Sequence, residues 1–331
     1  MVAELRVSVA IGDYDRNRPL LDGRVKIDGV KPIFMTLEPE EIFFRALRHA
    51  EFDICELSLS STAVRIARGD CPYVGIPAFV SRAFRHTSIY IRTDKGIREP
   101  RDLIGRRVGL PEYQLTACVW ARAILEDDFG VKPTDIQWVR GGIEQPGRPE
   151  KIDLQLPPGL HLESAPEGIS LNKLLEDGAI DAFVGPRAPS CFERGHPHVD
   201  WLFPDPAAAA KDYYHRTGIF PIMHLIGIRH KLARHNPWLP AAVLKAFDRS
   251  KAIALAQLGD VSATKVTMPF VEEQLRAIRR LMGAEYWPYG LAPNRIVLNT
   301  FLDHHHRQGL SSRRLQVEEL FHPATHETSR I

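Results

Sequence analysis

Apolar and polar positions fall into two rhythms along this chain. Residues 5–10 (LRVSVA) alternate and are rich in branched side chains, which predicts a strand. A polar loop follows at 11–19, carrying Asp13, Tyr14, Asp15, Arg16 and Arg18 at the carboxyl end of that strand. Residues 38–50 switch to helical spacing, with Pro39 in the first turn and Ile42, Phe43, Ala46 and Leu47 on one face. Residues 52–57 (FDICEL) return to a strand and lead into SLSST. There Ser58, Ser60, Ser61 and Thr62 stand where they cap a helix over 63–67 or donate to an anion at its start. An apolar run at 74–80 and a second at 88–91 flank Arg82, Arg85 and His86. Cations set between two buried strands are costly unless an anion meets them.

The alternation repeats further on. Residues 107–110 predict a strand, 111–113 (PEY) a loop and 114–129 an amphipathic helix closed by Gly130. Glu112, Tyr113 and Thr116 therefore stand at a helix N-terminus, a position that favours anions, although Glu112 also fits a plain capping acid. A strand at 136–139 leads into the glycine-bearing GGIEQPGRPEK (141–151), which carries Glu144 and Arg148. That loop lacks the Lys-Ser/Thr of a phosphate loop, which argues against nucleotide binding. Residues 156–168 look turn-rich, 171–177 form a short helix, and a strand at 180–184 places Arg187 beyond its end. Residues 196–214 look irregular, with a proline-rich HPHVDWLFPDP and a helix-prone AAAAKDYY, and 221–228 (PIMHLIGI) form an apolar strand enclosing His224, a position more often filled by a hydrogen-bonded core histidine. Helices are expected over 240–257, 269–282 and 295–308. The middle one has Thr267 as its N-cap and Val271, Leu275, Ile278 and Met282 as a buried stripe. An aromatic loop, EYWPYG (285–290), lies between the last two and is expected to pack on the core or over a cleft. His304, His305 and His306 point about 100° apart on a helix, so they read as a solvated run rather than one metal site. His196 and His198 find no acidic or histidine partner at metal spacing.

Composition narrows the class. The 331 residues are 44% hydrophobic and 25% charged with a formal net charge of +2, an ordinary globular profile without a field for nucleic acid or anionic membrane. No window approaches the roughly 20 apolar residues of a membrane span. Residues 1–16 lack a basic region followed by an apolar core, so a cytoplasmic location is expected. Cys55, Cys71, Cys118 and Cys191 form no CxxC and read as reduced, mostly buried thiols.

Two α/β halves joined by apolar strand runs, followed by helices, predict a two-lobed type II periplasmic-binding-protein-like clamshell with a helical C-terminal tail. Lobe one takes residues 1–88 and 222–331, lobe two takes 89–221, and a ligand cleft is expected between them, at strand ends. Several stretches carry a family resemblance: FDICELSLSS (52–61), IPAFVSRAFRHTSIYIR (76–92), GLPEYQLTACVWAR (109–122), GGIEQPGRPE (141–150), PIMHLIGIR (221–229), NPWLPAAVLKAF (236–247) and LMGAEYWPYG (281–290). Across nearly its whole length the chain resembles the 4,5-dihydroxyphthalate decarboxylase family. That resemblance implies a carboxy-lyase on a binding-protein-like fold. Its reaction would be non-oxidative loss of CO2 from a dihydroxylated aromatic dicarboxylate, leaving protocatechuate.

Such chemistry needs an acid at the ring carbon that loses CO2, a base for the hydroxyl para to it, and a clamp for the carboxylate that stays. Arginine suits the clamp through its bidentate fork, and Arg82, Arg85, Arg148, Arg187 and Arg16 are the candidates, with Ser60 and Thr116 as further substrate contacts. Histidine suits proton transfer near neutrality, which points to His86 and His224, with Glu112 and Tyr113 to orient or deprotonate the hydroxyls. No cofactor is expected to be required. A divalent metal is the open option, with His86, His224 and Glu112 as its only plausible ligands. The expected partner is a small aromatic carboxylate, with no nucleic acid and no membrane, and the helical tail is compatible with a homo-oligomer. The alternative is a non-catalytic clamshell that binds an anionic aromatic molecule. Pyrimidine-cofactor biosynthesis on the same fold is a third reading, disfavoured because a dense cysteine run is absent.

Overall fold

A computed structural model describes residues 4–150, 152, 154 and 156–327. Residues 1–3, Lys151, Asp153, Gln155 and residues 328–331 lie outside the described residues. Expectations touching the chain start, the end of the 141–151 loop and the end of the tail rest there on sequence alone. In chain order the elements are β1 (Leu5–Ile11), α1 (Arg18–Leu21), β2 (Val30–Thr36), α2 (Pro39–His49), β3 (Ile54–Ser58), α3 (Leu59–Arg68), β4 (Tyr73–Arg82), β5 (Ile89–Arg92), β6 (Arg107–Leu110) and α4 (Thr116–Phe129). They continue with β7 (Gln137–Arg140), β8 (His161–Ser164), α5 (Leu171–Glu176), β9 (Ala182–Val184), α6 (Ser190–Glu193), β10 (Val199–Trp201) and α7 (Pro206–Thr217). The last are β11 (Ile222–Arg229), α8 (His230–His235), α9 (Leu239–Leu258), α10 (Val271–Met282) and α11 (Arg295–Arg307).

The chain divides into two units. Unit 1 takes the described residues up to Arg82, Ile222–Asn299 and those from Gln316 onward, and unit 2 takes Ala83–Pro221 and Thr300–Leu315. The first passage from unit to unit thus falls at 82/83 rather than 88/89, and part of the expected lobe-one tail belongs to unit 2. Unit 1 holds a sheet of order β2-β1-β3-β11-β4, in which β1 runs parallel to β2 and β3 while β11 runs antiparallel to β3 and β4. The carboxyl ends of β1, β3 and β4 therefore share one edge, where ligands bind in open α/β sheets. Unit 2 holds β10-β5-β9-β6-β7-β8, with β6 parallel to β7 and β9, and β7 parallel to β8.

Local chemistry explains the elements that carry these edges. All five residues of β3 are buried, as in a central strand covered on both faces. Ser58 Oγ accepts from Ser61 N–H and caps α3, which Gly69 ends in the left-handed region. Pro39 opens α2, Glu40 and Glu41 occupy its first turn, and Ile42, Phe43, Ala46 and Leu47 bury its apolar face. In unit 2, α4 buries ten consecutive residues from Thr116 to Leu125, and Trp120 and Trp138 are wholly enclosed.

Several expectations are corrected. The proline-rich part of 196–214 contains β10 rather than irregular chain, whereas the helix-prone AAAAKDYY does lie in α7, whose start is capped by Asp205 accepting from Ala208 N–H. Residues 30–36 and 161–164 are parallel strands that sequence pattern did not single out. Helix α10 begins after Phe270, which stands in the left-handed region at φ 60°, so Thr267 is not its cap. Of the expected stripe on α10 only Leu275 is buried. The His304–His306 run is solvated only at His306: His304 and His305 are buried, the first with Nε2 2.6 Å from Asp127 Oδ2 and the second against the Phe301 ring. Polar partners on α4 allow a histidine-rich helical turn to sit inside. Cys55, Cys118 and Cys191 are buried and Cys71 half-buried, all as free thiols.

Candidate active site

At the strand-end edge of unit 1, one buried carboxylate gathers the polar groups. Glu56, fully enclosed on β3, accepts from Gly12 N–H at 3.1 Å and from the Tyr14 hydroxyl at 2.9 Å. His224 Nδ1 lies 2.6 Å from Glu56 Oε1. This contact occupies Nδ1 of His224 and leaves Nε2 as the ring nitrogen turned from the carboxylate. The Phe43 edge meets the His224 ring at 4.8 Å and fixes its plane. Position 12 must be glycine for this packing, since a Cβ there would stand 2.5 Å from the Tyr14 ring. Burial and the neighbouring Glu56 charge push the Tyr14 phenol well above its ordinary value, so it stays protonated and donating.

Arg16 continues this cluster. Its guanidinium lies over the Tyr14 ring at 4.4 Å and the Trp287 ring at 4.6 Å, held by two aromatic faces. Its Nε donates to Val80 O at 2.6 Å and its Nη1 reaches the exposed Asp15 at 3.1 Å. Trp287 in turn donates its indole N–H to Phe79 O at 2.9 Å. Arg82 is buried beside the same loop, where Nη2 donates to Pro288 O at 2.8 Å and to Asn294 Oδ1. The buried cation of Arg82 is thus met by carbonyl oxygens that fasten 285–290 to β4. Ser60 is buried in the first turn of α3.

Unit 2 collects a second set at its own strand ends. Glu112, 1% exposed, pairs with Arg148 Nε at 2.8 Å. Arg148 takes a left-handed φ of 75°, a strained setting for a residue with a side chain. Glu150 accepts the Tyr113 N–H at 2.5 Å, and burial, opposed by that bond and reinforced by Glu112, pushes its carboxyl up to about 7. The Tyr113 ring carries the Arg122 guanidinium at 3.8 Å, and its hydroxyl donates to Gln308 O at 3.3 Å. Thr116 is buried at the start of α4.

The remaining expected residues, His86, Arg85 and Arg187, belong to unit 2. His86 is buried between the Phe203 and Tyr213 rings at 5.1 and 5.5 Å, and burial brings its pKa down to about 4. Arg85 is half-buried with Nη1 3.5 Å from Ser88 Oγ, and burial pulls its guanidinium down to about 10, still charged at neutrality. Arg187 is exposed beyond β9. Glu56, Trp287, Glu150 and Arg122 were not singled out by sequence reasoning. A lone acid inside the apolar run FDICELSL was the available signal for Glu56, because a buried carboxylate demands donors. Among the described residues, no group of three or more His, Cys, Asp or Glu side chains is arranged to hold a metal ion, and no helix is long and apolar enough to cross a membrane.

The fold is that of the type II periplasmic binding proteins, here with a carboxylate–histidine pair and an aromatic-stacked arginine at one strand-end edge. The aliphatic sulphonate-binding protein SsuA of Escherichia coli matches with a TM-score of 0.52 over 96% of this chain and 92% of its own, at 14% identity. A putative sulfonate-binding SsuA of Methylobacillus flagellatus matches at 0.55 over 98% and 93%, with 12% identity. No protein-family profile matches the sequence. Among curated proteins, a 4,5-dihydroxyphthalate decarboxylase of Comamonas testosteroni is 59% identical over 330 residues, covering 100% of both chains. One of Pseudomonas putida is 59% identical over 211 residues, 64% of this chain and 82% of that protein. The chain belongs to the 4,5-dihydroxyphthalate decarboxylase family, a family of carboxy-lyases.

Proposed function

We propose that this protein converts 4,5-dihydroxyphthalate to protocatechuate and CO2 without oxidation, by protonating the ring, as a step in the breakdown of phthalate-type aromatics in the cytoplasm. The full-length relationship to the Comamonas testosteroni decarboxylase carries this reading. The geometry of unit 1 then suggests which residues act. Direct loss of CO2 would leave an aryl carbanion, so the ring carbon bearing the leaving carboxylate takes a proton first. Electron density for that step comes from the hydroxyl para to it as its proton passes to a base, which returns it once CO2 has left. The resulting cyclohexadienone expels CO2, the electrons of the broken C–C bond restore aromaticity, and the oxygen regains a proton.

His224 is assigned the ring proton, delivered from Nε2, because Glu56 holds its other nitrogen and stabilises the imidazolium. Arg16 is assigned the retained carboxylate. Its stacking partners orient the guanidinium without neutralising it, and its side chain is 18% exposed. Binding the leaving carboxylate tightly would instead stabilise the ground state, since that group loses its charge as CO2 forms. In this scheme His86 serves packing, and Arg82 holds the loop that carries Trp287. The protons move between side chains and substrate, and no metal is assigned.

Incubation of the purified protein with 4,5-dihydroxyphthalate, following CO2 and protocatechuate, tests the reading. Equimolar release of both supports it, and binding without product overturns it in favour of a binding module. Turnover lost on chelation and restored by a divalent ion would overturn the metal-free scheme alone.

A further inference from the structure

Helix α9 presents two neighbouring side chains that the reaction scheme does not use. Lys251 is 3% exposed, and its ammonium lies 2.9 Å from Glu285 Oε1, 3.1 Å from Asp248 Oδ1, 3.1 Å from Trp287 O and 4.6 Å from the Tyr289 ring centre. Burying an ammonium costs free energy, and neither carboxylate explains that cost. Asp248 and Glu285 are 57% and 62% exposed and well solvated without it. What the lysine achieves is fixation of the 285–290 loop at Trp287. The preceding residue, Ser250, donates its hydroxyl to Arg16 O at 2.7 Å. One turn of α9 therefore grips the main chain of Arg16 and the main chain of the tryptophan stacked on Arg16.

We propose that Lys251 is a positioning residue for substrate binding: it sets the Trp287 indole, and the indole sets the Arg16 guanidinium for the retained carboxylate. The proposal rests on the assignment of Arg16 made above. Its physical basis is that Arg16 is steered by π faces and a backbone carbonyl, with the exposed Asp15 as its ion-pair partner among the described residues. Such a guanidinium keeps its charge for a ligand, but its direction depends on how firmly the rings are held. The loop has further ties: Trp287 Nε1 to Phe79 O, Gly290 N–H to Pro77 O, Arg82 to Pro288 O, and Asn294 Nδ2 to Pro288 O and Gly290 O. Those ties keep the loop folded when Lys251 is replaced, so the lysine should govern orientation rather than folding.

The test uses the full chain carrying 5-fluorotryptophan at its five tryptophans, with the Trp287 resonance assigned from Trp287→Phe. Lys251→Met should shift or broaden the Trp287 resonance and leave the other four in place. It should raise KM for 4,5-dihydroxyphthalate by about tenfold with kcat within about twofold, since about 1.4 kcal/mol of lost orientation is a factor of ten. Lys251→Arg should recover most of the loss. In a Trp287→Leu background, Lys251→Met should add less than about twofold, because the intermediary is already gone. An unmoved Trp287 resonance, an unchanged KM, or an undiminished Lys251→Met effect without the indole would each overturn the proposal. If the parent protein does not turn over 4,5-dihydroxyphthalate, the functional reading falls, while the fluorine spectrum still decides whether Lys251 sets Trp287.

Discussion

His224 Nδ1 and Glu56 Oε1 stand 2.6 Å apart, and the carboxylate also takes a backbone N–H and a phenol hydroxyl. The pair joins two strands that are distant in sequence and adjacent in the sheet, with His224 in register with Ser58 and Glu56 with Ile226. A buried acid with three donors is a fixed anvil for the imidazole, so the ring direction follows from the sheet rather than from a mobile loop.

Removal of the proton donor should cost the chemical step. His224→Asn is expected to lower kcat by about 10²–10⁴-fold with a smaller change in KM. Glu56→Gln should lower it by roughly 10–10²-fold and shift the pH profile, because a neutral amide holds the ring but does not stabilise the imidazolium. Steady-state protocatechuate formation across pH checks both, and full activity in either variant would remove the dyad from the mechanism.

Arg16 should govern binding. Arg16→Gln is expected to raise KM by about tenfold or more, and Arg16→Lys to recover only part of it, since an ammonium is a point charge without the planar fork that stacks on Tyr14 and Trp287. Calorimetric binding of phthalate, which has the carboxylates and lacks the hydroxyls, should weaken by a similar factor.

His86 separates two roles for histidine. Its pKa of about 4, brought down from an ordinary 6.5 by burial, leaves it neutral at pH 7. A lowered histidine means the unfolded chain binds more protons, so its contribution is intact above pH 6.5 and is lost as pH falls through 4. His86→Leu should keep turnover within about threefold, far from the roughly 10²–10⁴-fold expected of a proton-transfer group. It should also flatten the fall of Tm between pH 6.5 and 4.

Glu150 gives the opposite dependence. Its folded pKa of about 7 lies above the ordinary 4.5, so the native state holds the proton more tightly. The stability this contributes is complete below pH 4.5 and is lost as pH rises through 7. Glu150→Gln, followed by Tm from pH 4 to 8, should remove that decline. An unchanged profile would show that folding leaves the Glu150 carboxyl at its ordinary value.

Local pattern was enough to place α2, α4, β1, β3 and β11 and the second half of α3, because a helical or strand period runs through each of them. It did not reveal β2 or β8, whose residues are mostly half-buried or exposed and whose pairing is supplied by neighbouring strands. Among the candidate site residues, sequence pointed to Arg16 and His224 but also to His86, Arg82 and Arg187, which carry the same chemistry in other settings: His86 between two rings, Arg82 on carbonyl oxygens and Arg187 exposed. Residue type says what a group can do; it does not say what meets it. The buried His304 makes the point, since its Asp127 partner is 177 residues away.

The amino-acid sequence by itself determined the α/β class, the alternation that builds two sheets, and the family, because these depend on periodicity and on stretches of consecutive residues. The tertiary structure decided which charges are internal and which are presented. Arg82 meets carbonyls, Arg148 meets Glu112, and Arg16 is held by aromatic faces. The physical reason is that desolvation and hydrogen bonding depend on neighbours brought together by strand pairing and loop closure, and these set the charge, direction and reach of each side chain.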